Sequence, residues 1–183
     1  ARVHGIEGDF DWRLGGFQLS GSATYIDAKL TTNFCQVDET GNSVCDPDTA
    51  PAAPKGTRLP IQPRFKGTAT ARYNFLVGDV KAYVQGTVLH QSNTRTFLTD
   101  LEYDIVGPAP AFTTADFSVG GQFGQTTFQL YIQNAFDERG ELSRNTACAP
   151  AFCGAYYRVY PVKPQVFGVK VGRRNIHGLG GGG

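Results

Sequence analysis

Apolar and polar residues alternate with period two along most of the chain, and helical periodicity is scarce. Near the start, Ile6, Gly8, Phe10, Trp12 and Leu14 alternate with Glu7, Asp9, Asp11 and Arg13. Phe17, Leu19, Gly21, Ala23 and Tyr25 follow, set against Gln18, Ser20, Ser22 and Thr24. The same rhythm returns in Phe65, Gly67, Ala69, Ala71, Tyr73 and Phe75, in Ala115, Phe117, Val119, Gly121 and Phe123, in Phe128, Leu130 and Ile132, and in Phe167, Val169 and Val171. A side-chain period of two means a strand with one apolar and one polar face. The pattern predicts about seven strands, over 2–14, 17–31, 64–75, 80–97, 111–123, 126–137 and 163–174.

The spacing of these strands carries a second message. Short connections at Gly15-Gly16, Leu76–Asp79 and Gly124-Gln125 alternate with long ones of roughly thirty, a dozen and twenty-five residues. Tight turns on one side and long loops on the other are the pattern of a transmembrane barrel. The strands exceed the length usual in soluble sheets and suffice to cross a bilayer at a slant. Trp12, Phe17, Tyr73, Phe75 and Phe123 cluster at the short-turn ends, where an aromatic girdle belongs. The fold expected is all-β, an antiparallel transmembrane barrel segment in up-and-down order. A soluble sandwich with one wet face also alternates, but it does not explain the loop asymmetry or the strand lengths. An odd strand number points to a part of a larger barrel, since single-chain bacterial barrels are even-numbered. The lack of any Met among the 183 residues fits a mature protein or a fragment better than a primary product.

Composition adds exclusions. No run of about 20 apolar residues is present, so a spanning helix is not expected. A net charge of +1 without a basic block removes the electrostatic footprint of a nucleic-acid binder. Cys35, Cys45, Cys148 and Cys153 form no Cys-x-x-Cys pair and have no His at zinc-ligand spacing. Four cysteines allow three pairings, and nearness in sequence favours 35–45 and 148–153. Disulfides there imply an oxidising compartment, and both pairs fall in long loops.

Several stretches resemble the C-terminal region of TonB-dependent outer-membrane receptors. Ile132-Gln133-Asn134-Ala135-Phe136-Asp137-Glu138-Arg139 is similar to their penultimate strand and its closing motif, and Phe112–Phe117 to the strand before it. Arg58-Leu59-Pro60-Ile61-Gln62-Pro63-Arg64 resembles the approach to an earlier strand, and Pro164–Arg173 the final one. The paired-Cys loops resemble a proteobacterial subgroup that scavenges many organic compounds. The resemblance implies a 22-stranded barrel around an N-terminal plug, with long loops extracellular and short turns periplasmic. It implies uptake of a siderophore, vitamin, heme or carbohydrate, driven by the TonB complex acting on a region outside this chain. The partners implied are outer-membrane lipid, the plug, the remaining strands and a small-molecule ligand. The rival reading is a small outer-membrane barrel with a structural or adhesive role. One departure stands out. Arg173-Arg174 is followed by Asn175-Ile176-His177-Gly178-Leu179 and four glycines, where the family usually ends on an aromatic residue. Residues 1–174 are expected to form strands and loops, and 175–183 a flexible tail.

No catalytic constellation, cofactor motif or metal set emerges. There is no Gly-x-Ser-x-Gly, no phosphate loop and no His beside a nucleophile. His90 is the one conceivable general base for a lipid-modifying enzyme, and it lacks a partner. Asp38, Glu39, Asp46 and Asp48 read as an acidic solvated loop rather than a calcium site, because EF-hand spacing is absent. Glu7, Asp9, Asp11, Lys66, Arg72, Lys81, Asp116 and Lys170 lie on the polar faces, which line the lumen of a closed barrel. Tyr156, Tyr157, Arg158 and Tyr160 form an aromatic-basic cluster in the last loop. It suits either stacking and cation–π contact with a ligand or an upper aromatic girdle.

Overall fold

A computed structural model describes residues 1–37, 43–45, 50–146 and 156–173. Seven long strands form a single antiparallel meander. They are β1 (Arg2–Leu14), β2 (Phe17–Lys29), β5 (Phe65–Val77), β6 (Val80–Gln91), β7 (Phe112–Phe123), β8 (Thr126–Gln133) and β11 (Val166–Arg173), hydrogen-bonded in that order. Two small hairpins decorate the long loops: β3 (Gln36–Val37) with β4 (Ser43–Val44), and β9 (Glu141–Asn145) with β10 (Arg158–Pro161). One helix, α1 (Asp100–Val106), follows β6. β1 and β11 do not pair, so the seven strands curve without closing on themselves.

The three short connections share one device. Gly15, Gly78 and Gly124 each take φ of 55–57° at the first central position of a two-residue turn. Positive φ at that position and not the next matches the right-handed twist of the flanking strands, and glycine takes it without a Cβ penalty.

The register keeps the two faces apart across all seven strands. Leu14 and Phe17 oppose each other, Phe17 opposes Tyr73, Tyr73 opposes Val84, Val84 opposes Val119, Val119 opposes Leu130, and Leu130 opposes Val169. One residue along, Arg13, Gln18, Arg72, Gln85, Ser118, Tyr131 and Gly168 form the matching polar row. A slip of one residue at any ladder would exchange the faces, so the contrast itself pins the register.

The apolar face is uncovered. Ile6 is 74% exposed, Leu130 52% and Val171 75%, and none of the described residues lies over them. The buried apolar side chains Ala28, Cys35, Ala53, Val106, Ala109, Phe112 and Ala115 sit instead at the long-loop ends of strands and within the loops. A contiguous apolar band of this size is too large for a water-exposed surface and is stable against hydrocarbon.

The strand boundaries differ from the sequence expectation by three residues or more at three places, and by one or two at the ends of β2, β5 and β7. β6 stops at Gln91, not 97, because the chain turns away to feed α1, and the Ser92 hydroxyl accepts the Phe65 amide at 3.0 Å. β8 stops at Gln133, not 137, because Asn134 adopts φ of 47°. β11 begins at Val166, not 163, after Gln165 has donated its side-chain amide to the Ala135 carbonyl at 2.7 Å. The expected tail at 175–183 lies outside the described residues.

Candidate functional site: polar wall and loop rim

The polar face carries a repeated arrangement of tyrosine, glycine and cation. Tyr83 opposes Gly120 and Tyr131 opposes Gly168 in the ladders. A Cβ on Gly120 would lie 2.8 Å from the Tyr83 ring, and one on Gly168 would run into the Tyr131 ring, so the missing side chains let the rings lie flat across the neighbouring strand. Each ring then takes a cation from an adjoining strand. The Arg72 guanidinium stands 3.6 Å above Tyr83 and the Lys170 ammonium 5.0 Å from Tyr131. Arg72 is held in place by donating to Asn74 at 3.0 Å and Gln85 at 3.3 Å.

These groups border a concavity of about 710 Å³ near the short-turn ends. Arg72, Lys81 and Lys170 line it together with Tyr83 and Gln129, and no carboxylate does. Three cations around an open hollow attract an anionic or hydrogen-bond-accepting partner. The other predicted polar-face residues keep their place: Asp9 opposes Ser22, Glu7 opposes Thr24, and Thr24 opposes Lys66. Asp11 is engaged by Arg13 at 2.8 Å and by Gln18 at 3.0 Å. Asp116 is committed to structure, accepting the Asn134 amide at 2.8 Å.

At the opposite end the long loops knit into one layer. Arg95 donates to the carbonyls of Phe97 and Leu98, pairs with Asp100 and lies 4.0 Å from the Tyr103 ring. The Asp100 amide donates to Ala52, and the Ile61 amide to Arg95, tying the first long loop to the second. Thr99 closes onto Glu102 at 2.7 Å at the start of α1. Arg144 brings in the third loop. It donates to Glu141 and to the Val106 carbonyl at 2.8 Å, at the C-terminus of α1 where a cation is favoured, and its guanidinium lies 4.8 Å from the Tyr157 ring. The Glu141 carboxylate beside it raises the Arg144 pKa further above its usual value. Replacing Arg144 with Gln is expected to cost the loop layer about 2 kcal/mol, the scale of lost bonds to a charged group. Hydrogen exchange at α1 amides in the full-length protein should accelerate by at least about tenfold, and unchanged exchange would exclude this bracing role.

The predicted aromatic-basic cluster therefore divides. Tyr157 packs on Arg144. Tyr156 is 87% exposed, Tyr160 is half exposed, and Arg158 sits opposite Asn145 in the β9–β10 hairpin. Cys35 and Cys45 form a disulfide, as their nearness suggested. Cys148 and Cys153 lie outside the described residues, as do Asp38, Glu39, Asp46 and Asp48. Among the described residues, no three His, Cys, Asp or Glu side chains gather as metal ligands. His90 faces the apolar side, with Nδ1 2.8 Å from the Thr113 hydroxyl and its ring 6.0 Å from that of Phe65. Sequence reasoning missed α1, Arg95 and Arg144. The Thr99-x-x-Glu102 spacing was the one available signal.

The comparisons with known proteins agree with this geometry. Residues 1–135 match the family described as TonB dependent receptor-like, beta-barrel. No curated protein matches the sequence. Among solved structures, the chain is similar to the ferric yersiniabactin uptake receptor FyuA from Yersinia pestis, at 14% identity and a TM-score of 0.63, over 92% of this chain and 23% of that one. It is similar to the siderophore receptor PiuA from Acinetobacter baumannii, at 16% identity and 0.64, over 92% and 21%. It is also similar to the ferric-catecholate import receptor Fiu from K12 E. coli, at 20% identity and 0.64, over 92% and 20%. The chain thus spans about a fifth of the length of these receptors. It belongs to the TonB-dependent receptor-like β-barrel family.

Proposed function

We propose that this chain supplies seven consecutive wall strands and their outer loops to an outer-membrane receptor that imports a scarce nutrient under TonB drive. The observation that carries the reading is the meander itself. It has one uncovered apolar face and one polar face, and its edge strands stay open for further strands. A small self-contained barrel is disfavoured because β1 and β11 do not meet. In this reading residues 1–174 are wall and loops, the long loops face the exterior, and the short turns face the periplasm. The concavity at Arg72, Lys81 and Lys170 faces the plug or the passing ligand, and exposed Tyr156, Arg158 and Tyr160 meet the ligand first. A ferric siderophore is the first substrate class to test. The three similar structures are siderophore or ferric-catecholate receptors by name, and many iron chelates are anionic, which suits a cationic wall. Heme, vitamin and carbohydrate ligands are the alternatives within the same reading.

The test is uptake of labelled ferric chelates by cells that carry the full-length receptor as their sole importer. Uptake is expected to vanish when the TonB complex is deleted, and TonB-independent uptake would sink the proposal. Orientation has its own check. A Tyr156→Cys variant should react with an impermeant maleimide on intact cells, and an Asp79→Cys variant only after the outer membrane is opened. The reverse result would invert the topology.

A further inference from the structure

The apolar face ends abruptly at its long-loop border, and on three strands it ends in cations. Below the border, Ile6 opposes Tyr25 and Tyr25 opposes Phe65. One step further, His4 opposes Asp27, and beyond that Arg2 opposes Lys29, which in turn bridges to Arg58. Three permanent cations thus stand side by side at one level of the ladder. Like charges placed directly opposite destabilise a sheet unless an anion lies between them. Arg64 joins from the position just before β5. Among the described residues, Asp27 is the one carboxylate paired with them, and it is shared by Lys29 at 2.9 Å, Arg64 at 3.9 Å and His4 at 3.9 Å. One acid cannot neutralise four cations. Arg58 donates to the Asn93 side chain and carbonyl, and burial, then the nearby Arg64 charge, lower its pKa. On β6 and β7, His90 and Thr113 are hydrogen-bonded to each other at the level of Gly67, below the cations.

A groove of about 380 Å³ lies further down the apolar face, beyond the level of Ile6 and Tyr25. Its floor is made of small residues that oppose each other across three strands, Gly8, Ala23 and Gly67, and its walls are Phe10 and Phe65. An anionic group at the cations would leave an attached hydrocarbon chain lying in the groove.

We propose that Arg2, Lys29, Arg58 and Arg64 hold the phosphate groups of a membrane lipid whose acyl chain fills the furrow below. The apolar groove selects a lipid over free phosphate, which would need the cations alone. The inference goes beyond transport but rests on the strands spanning the membrane with long loops outward. The maleimide labelling tests that orientation separately, so the two can fail independently.

The experiment uses the full-length receptor in detergent, titrated with diphosphorylated lipid A, with the same lipid stripped of phosphate, and with inorganic phosphate. Wild type is expected to bind the diphosphorylated lipid, with affinity falling as NaCl rises, and to bind the stripped lipid far more weakly. A Lys29→Gln/Arg58→Gln/Arg64→Gln variant should lose on the order of 100-fold in affinity, given the usual attraction per basic residue at an anionic surface. An Arg13→Gln/Lys66→Gln/Arg139→Gln variant, which loses the same charge away from the row, should bind the lipid as wild type does. Equal binding of the phosphorylated and stripped lipids overturns the proposal. So does equal loss in the two triple variants. Competition by inorganic phosphate at the lipid's own concentration overturns the lipid assignment. If the first triple variant fails to fold, the wild-type comparison of the two lipids and its salt dependence still decide.

Discussion

Replacing Asn134 with alanine is expected to destabilise the full-length receptor by about 4 kcal/mol, enough to unfold the end of β8 and detach the last loop. Asn134 is only 4% exposed, and its side chain makes three hydrogen bonds. Its Nδ2 donates to the carbonyls of Glu138 and Lys163, each at 2.9 Å, and its Oδ1 accepts the Glu138 amide at 2.9 Å. Each bond contributes about 1 kcal/mol, and their loss leaves the Glu138 amide and the Glu138 and Lys163 carbonyls without these partners. The residue also sits at φ of 47°, where asparagine is tolerated and alanine adds roughly another 1 kcal/mol of strain. Asn134→Gly separates the two terms, because it removes the bonds but relieves the strain, and it should cost about 1 kcal/mol less than alanine. Urea unfolding of the receptor in micelles measures both. A cost below about 1 kcal/mol for alanine would show that the carbonyls find other partners.

Asn134 also marks the limit of what could be read from the chain. The strands from Arg2 to Phe123 were legible because a wall between lipid and water writes its two faces into every second residue. The short turns were legible because Gly15, Gly78 and Gly124 stand where positive φ is needed. The ends of β6 and β8 were not, because no local pattern sets them. Asn134 stops β8 by reaching Lys163, which lies 29 residues away along the chain. α1 escaped notice because seven residues are too few to show a helical face. Arg95 and Arg144 resembled ordinary loop charges, and only the meeting of three loops gives them their partners.

The candidate sites divide along the same line. Which residues face the lumen follows from alternation, so Arg72, Lys81 and Lys170 could be placed on one side from the sequence. Their gathering around one hollow could not, since it depends on ladders joining β5 to β6, β7, β8 and β11 in a fixed register. The row Arg2, Lys29 and Arg58 is a stronger case. Its members are 27 and 29 residues apart, and only the β1–β2 ladder and the bridge to Arg58 bring them level. The Cys35–Cys45 bond was accessible because its span is short, and a closed loop of ten residues leaves little room for other pairings.

The assignment of faces makes a second large prediction, which one residue step can decide. Val119 lies in the middle of the apolar band, opposite Val84 and Leu130, and is 43% exposed, with none of the described residues above it. Ser118, its neighbour, faces the polar side opposite Gln85 and Tyr131. An arginine at Val119 must hold its charge in hydrocarbon near mid-bilayer, where a lipid-facing barrel position costs about 2–4 kcal/mol. An arginine at Ser118 enters a hydrated wall already carrying Arg72, and its cost should stay below about 1 kcal/mol. The full-length variants, refolded into bilayers and unfolded by guanidinium, should differ by at least about 2 kcal/mol in this sense. Equal costs would mean that both faces meet water. The reverse order would put the lumen on the side of Phe117, Val119 and Leu130, and every functional assignment to Arg72, Lys81 and Lys170 would fall with it.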